Sequence, residues 1–432
     1  MGSSVDFERQ MRRQFYEPRR NSGLAVGMTI FSVASWHMIA REQGLGELLL
    51  SGFVLWFTYL GSVLLHELGH ALAAQAVNLR PIVFLCGTGP RLRRRLAGVA
   101  LNVGLVPGGG LVQVVSDTQQ PLMKWRLFAL YAAGPLVSLA LWWVGYVPLG
   151  HHWLALKAGS DAWIMPGAAL VIINSLLLFS SANPCSRRGD VGTPAGDVVQ
   201  IARLARLPPA QLNGLVLAAE LADVTQLMAL EQYAAALEAA RGHALLAPGN
   251  WIARLQLGTL LLLAGEHEAA FRELAALRNE PALAEAGFDQ AAALVANNYA
   301  WACYMLDDAT LLDDADRASA EAHQKLPNAA SILGTRGTVL VALGRIEEGE
   351  RLLERALKRH RSRAHKATVL VGLALASLQR GKPKNARRLL SEAKYLDPTC
   401  ELLGRGQRAL EGAEQPHVEH RDRLSPDTAQ SP

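Results

Sequence analysis

The chain has 432 residues, 50% of them hydrophobic and only 19% charged, with a mean hydropathy of +0.13. A soluble domain is nearer a quarter charged, so a chain wholly dissolved in water is excluded, as are disordered and collagen-like classes. A net charge of +5 with no glycine-rich phosphate loop gives no footing for nucleic acid. Cys86, Cys185, Cys303 and Cys400 form no C-x-x-C pair, which removes a disulfide scaffold and a cysteine zinc knuckle.

Taken in chain order, the uncharged stretches are Ser22–Ala40, Leu48–Leu65 (apolar again to Leu79), Leu127–Leu149 and Ala162–Ala182. Each has the roughly 17–25 residues that a bilayer crossing needs. The pattern predicts a mainly α protein whose core, residues 22–200, is a polytopic membrane bundle of about four spans. Basic residues orient it: five Arg lie in the tail 1–21, a group from Arg80 through Arg91–Arg95 to Arg126 lies between spans two and three, and Arg187 and Arg188 follow span four. By the positive-inside rule these face the cytoplasm, so both termini are expected there, as in a multi-pass protein of a bacterial plasma membrane. The Arg91–Arg95 cluster reads as a topology anchor and an anionic-lipid contact. His151, His152 and the tryptophans of the outer connector read as interfacial.

Span two closes on His66-Glu67-Leu68-Gly69-His70, an H-E-x-x-H sequence. Residues four apart on a helix share one face about 6 Å apart, which lets two imidazoles hold one zinc while the glutamate between them works on a water there. Two histidines and a glutamate within an apolar run cost several kcal/mol unless they serve a site. By helical rise from the ends of their spans, His66, Gly134 and Asn174 fall in the same cytoplasmic half of a roughly 30 Å core.

These residues resemble the site-2 protease family of intramembrane zinc metalloproteases, over about residues 48–205. The resemblance implies His66 and His70 as zinc ligands and Glu67 as general base. Gly104–Val112 resembles the family's membrane-associated β-hairpin, which presents substrate as an extended strand, and Ala133-Gly134-Pro135 resembles the signature of its middle core helix. The family's third ligand is an aspartate following an asparagine motif on the last core helix. Asn174 supplies that asparagine, with a role at the substrate carbonyl or oxyanion or as a helix-to-helix link. Asp197 is the preferred third ligand and Asp190 the competitor. Leu177 stands where the family has proline, Val198 where it has glycine, and Ser138 where it often has asparagine.

From about residue 206 the pattern turns to amphipathic helices rich in Ala and Leu. Gly258, Gly265 and Ala270 recur at the same spacing as Gly337, Gly344 and Gly349; Ala374, Gly381, Ala386, Ala393 and Pro398 repeat it, with Ala315, Ala322 and Pro327 between. This resembles tetratricopeptide repeats, and it implies a cytoplasmic α-solenoid over 206–412 that binds protein partners. The tail 413–432 is expected to be disordered. The expected function is a one-zinc intramembrane endopeptidase, with the bilayer and spanning-segment proteins as its partners and the repeats as recruiter or regulator. The alternative is an inactive, protease-like membrane scaffold whose repeats do the binding. A proton-relaying transporter explains neither the i, i+4 pair nor the glycine-rich hairpin.

Overall fold

The computed structural model describes residues 45–116, 122–149, 164–182, 196–207, 217–218, 222–284, 289–360 and 362–414. The stretch Ser22–Ala40, Asp190, His151, His152, Arg187, Arg188 and the end of the tail lie outside these residues. The described chain is mostly helical with one small sheet.

Helix α1 spans Leu45–Ala76, and Asn78 in the left-handed region turns the chain out of it, with Leu79 N–H bonding back to Ala74 O at 2.8 Å. Helices α2 (Met123–Leu149) and α3 (Ile164–Ala182) follow the sheet, and all three helices pack on one another. Small residues set the close approaches. A Cβ on Gly69 would lie 3.2 Å from Ala133 O, and one on Gly145 would lie 2.6 Å from Gly167 O, the way helices meet in lipid.

The bundle buries a row of polar side chains and turns large apolar ones outward. Ser62, His66, Glu67, His70, Ser138, Asn174 and Ser181 are all buried, whereas Phe53, Phe57, Trp143, Val144, Val147 and Phe179 are at least half exposed. Water would drive the opposite arrangement. Among the described residues one helix, Met123–Val147, is long and apolar enough by itself to cross a membrane, and Pro166–Ala182 is apolar over 17 residues.

The sheet is larger than the hairpin read from Gly104–Val112. Strand β1 (Arg80–Leu96) and strand β2 (Val99–Ser116) are antiparallel and turn at Ala97-Gly98, both with positive φ, the two-residue turn that suits strand twist. Bulges fold the pair over itself, so that Val83–Cys86 has partners in both Ala100–Val103 and Gly110–Gln113. The strand β3 (Leu217–Ala218) adds beside Val115 and Ser116. The arginine cluster is therefore part of β1, and its Arg91 and Arg93 face a glutamate of the repeat region, where the sequence suggested lipid.

Helix α4 (Asp197–Leu204) packs on α2 and α3. Five helix pairs then follow among the described residues: α5 (Ala222–Ala229) with α6 (Tyr233–Leu246), α7 (Trp251–Leu263) with α8 (His267–Arg278), α9 (Asp289–Met305) with α10 (Leu312–Lys325), α11 (Ala330–Ala342) with α12 (Ile346–Arg359), and α13 (Arg363–Gln379) with α14 (Pro383–Leu396). Helix α15 (Leu403–Glu414) ends the series against α13 and α14. The repeating small residues sit where the two helices of a pair touch: a Cβ on Gly258 would meet Leu274 at 2.8 Å, and one on Gly337 would meet Leu353 at 2.8 Å.

Candidate metal centre

His66 and His70 stand one turn apart on α1, their rings edge to face with centroids 5.0 Å apart. The outer nitrogen of each ring is held. His66 Nδ1 is 2.8 Å from Ser138 Oγ on α2, and His70 Nδ1 donates to Leu130 O at 2.6 Å. Both Nε2 atoms are thereby turned to one point, as hydrogen bonds behind metal-binding histidines do. Gly134 makes room: a Cβ there would overlap Nε2 of both rings.

Asp197 reaches the same point from the first turn of α4. Its Oδ2 is 3.2 Å from His66 Nε2 and its Oδ1 3.5 Å from His70 Nε2, and Ser181 Oγ donates to Oδ2 at 3.2 Å. Gly196 allows the approach, since a Cβ there would overlap Ser181 O at the end of α3. The three ligand atoms lie within 4.8 Å of one another. Two imidazoles and a carboxylate, each oriented from behind, are a three-ligand donor set of the kind that catalytic zinc sites use, and the residues fit that ion.

Glu67, also buried, points to the sheet. Gly110 of β2 lies flat against it, and a Cβ at that position would overlap its carboxyl group. The structure thus brings together His66, Glu67, His70 and Asp197, and none of the described residues competes with Asp197 for the third position.

Asn174 does otherwise. Its amide protons are both engaged, one on Ser62 Oγ at 3.1 Å and one on Leu170 O at 2.9 Å, and Leu170 O, being an acceptor, fixes which end of the amide is nitrogen. No donor is left for an oxyanion, so of the two roles raised by the sequence the link between α3 and α1 is the one this geometry has. Ser138 shows the reverse: noted only as a departure from the family pattern, it holds a ligand. Its sole sequence signal was a hydroxyl one turn beyond Gly134 on α2's inward face.

Residues 54–155 match the family model described as Peptidase family M50. That stretch, which holds both histidines and Glu67, is similar to the peptidases of this family. Its curated relatives include proteins named "Putative zinc metalloprotease" from Chlamydia trachomatis serovar D, 34% identical over 18% of this chain and 16% of that protein, and from Thermotoga maritima, 27% identical over 27% of this chain and 25% of that protein. The chain therefore spans only about a sixth to a quarter of the curated relatives it matches. A thermophilic tetratricopeptide-repeat protein of Thermus thermophilus covers 44% of this chain and 97% of itself at 22% identity, with a TM-score of 0.33. That score is too low to define a shared fold, so the repeat architecture of this chain stands on its own helix pairs and turns.

Proposed function

We propose that this protein is a one-zinc intramembrane endopeptidase that cleaves membrane proteins in or near their spanning segments, with cytoplasmic repeats that recruit substrate or regulator. The observation that carries the reading is the convergence of His66, His70 and Asp197 beside Glu67, inside a bundle whose outer face is apolar. Zinc held by the three residues would polarise a substrate carbonyl and make water acidic enough to attack near neutral pH.

The chain's own residues do the rest. Glu67 takes the proton of the attacking water and returns it to the leaving amine. The sheet offers backbone: a spanning helix has every amide bonded internally, so cleavage requires it to unwind, and an unwound strand needs new partners. The glycines Gly108–Gly110 let such a strand come close to Glu67. Ser138, Leu130 O and Ser181 keep the ligands in place, and Gly134 keeps the space between them clear. Asn174 and Ser62 fasten α3 to α1 one turn before His66.

The apolar outer face of α1–α3 supports their embedding in a bilayer; the reading of about four spans within residues 22–200, with termini in the cytoplasm and residues 206–412 as the docking region, rests on the uncharged runs and the basic connectors. The test is cleavage of a single-span substrate by purified protein in lipid vesicles, with Glu67→Gln as the comparison. Loss of cleavage with zinc content and fold unchanged is expected. Cleavage retained in Glu67→Gln overturns the reading and leaves a membrane scaffold with bound metal.

A further inference from the structure

Within each helix pair of the repeat region the chain turns through one residue with positive φ. In three pairs it is glycine: Gly265, Gly344 and Gly381, at φ +74°, +77° and +68°, a conformation glycine adopts without strain. In the other two it is an acid, Glu231 between α5 and α6 at φ +60° and Asp307 between α9 and α10 at φ +59°. Residues with a side chain are uncommon there and worth explaining. Asp307 pairs with Arg405 of α15, inside the repeat region, at 3.0 Å. Glu231 reaches out of that region, into the sheet beside the metal centre.

Glu231 is 3% exposed, and its Oε1 accepts from Arg93 Nη2 at 2.6 Å with Arg91 Nη1 3.9 Å away. The contact lies at the edge of a packed seam, with Glu231 buried and Arg93 half-buried. Asn102 Nδ2 of β2 donates to Ala229 O at 2.9 Å, and Gln226 Nε2 donates to Ile82 O at 3.1 Å and also to Gly98 O. Ile82, Val83, Ala100 and Val115 of the sheet form one apolar cluster with Ala222 and Ala229 of α5. The apolar cluster alone would hold the surfaces together. A pair with one member buried, as Glu231 is against the half-buried Arg93, adds little stability over apolar packing, and the best-attested use of such pairs is to fix register.

The register it fixes leads to Glu67. Arg93 stands opposite Asn102, Asn102 opposite Leu85, and Leu85 opposite Leu111, the pair next to Cys86 and Gly110. Gly110 is the residue that lies on the Glu67 carboxyl. Three strand spacings, roughly 14 Å, separate Arg93 from Leu111, the neighbour of Gly110.

We propose that Glu231 is a positioning residue: through Arg91 and Arg93 it holds the sheet in the register that seats Gly110 against Glu67, so the repeat region sets the competence of the centre. The catalytic half of this inference rests on the proteolytic reading above. The structural half does not. The experiment compares full-length wild type, Glu231→Gln, and the charge swap Arg93→Glu with Glu231→Arg, by three readouts: kcat and KM on a single-span substrate, zinc per chain, and hydrogen exchange of the 106–112 amides.

Glu231→Gln is expected to lower kcat by about tenfold or more, as small misplacements of catalytic groups do, with KM and zinc content unchanged and exchange at 106–112 faster by about tenfold. The swap restores both. Wild-type exchange in Glu231→Gln overturns the proposal, and so does faster exchange with unchanged kcat. If Glu231→Gln does not fold, the swap decides: wild-type exchange and kcat support the pair, and faster exchange in a folded swap overturns it. A wild type that cleaves nothing removes the proteolytic reading, while the exchange comparison still shows whether Glu231 holds the sheet.

Discussion

Replacing Gly134 by alanine tests the centre where it is tightest. A Cβ at Gly134 would sit 2.5 Å from His66 Nε2 and 2.6 Å from His70 Cε1, whereas ordinary van der Waals contact begins near 3.4 Å. The rings must retreat by nearly an ångström, against a latitude of roughly 0.2 Å in zinc-ligand distances. Losing a partner behind one metal ligand costs roughly 10–100-fold in affinity. Displacing two ligands is worse, so zinc affinity is expected to fall by at least ~100-fold, about 2.7 kcal/mol. Helix α2 should not suffer, since alanine is favoured over glycine in a helix interior by ~1 kcal/mol. Competition of the full-length protein against a chelator of known affinity measures the loss, with circular dichroism as control. Wild-type zinc affinity in Gly134→Ala would refute the convergence of the two Nε2 atoms on that glycine.

Three further outcomes are expected. Gly110→Ala drives a methyl group into the Glu67 carboxyl and lowers kcat by ~100-fold, within the range of general acid-base contributions, while zinc content stays at the wild-type level; full activity would detach Glu67 from the sheet. Gly337→Ala places a Cβ 2.8 Å from Leu353 Cγ and 2.9 Å from Gly349 O, overpacking the α11–α12 contact by about 1–3 kcal/mol, seen as faster hydrogen exchange in that pair. His360 is buried and, with His365 and Lys366 adding to the effect of burial, its pKa is lowered to about 3. The unfolded chain then takes its proton first, so the stability of the repeat region is full above pH 6.5 and drains as pH falls below it, by up to about 3 kcal/mol at pH 4. Exchange of the α11–α13 amides measured from pH 7 to 4 follows this, and His360→Leu should flatten it; an unchanged slope in that variant refutes the assignment.

Much of this protein is written in local sequence. An i, i+4 pair of histidines with a glutamate between them has its geometry fixed by one helical turn, so His66, Glu67 and His70 could be read before any fold was known. Long uncharged runs fixed the places of α1–α3 for the same reason, since their length and composition need no neighbours to be recognised. The helix pairs were legible because Gly258, Gly265 and Ala270 recur at the spacing of Gly337, Gly344 and Gly349, a periodicity that needs no tertiary contact to be seen.

What depends on residues far apart in sequence was decided by the tertiary structure. Asp197 joins His66 across 131 positions, and only the close approach of Gly196 to the end of α3 delivers it there. Ser138 looked like a departure from a pattern until α2 lay beside α1. Asn174 had two open roles until its two protons were found spent on Ser62 and Leu170. Arg91 and Arg93 of β1 read as lipid contacts because nothing local tells a charge awaiting a phosphate from one awaiting a carboxylate; their approach to the buried Glu231 made the choice. Sequence determines what each residue can offer, and packing determines which partner removes it from solvent, because the energy of a buried polar group belongs to the pair and not to either member.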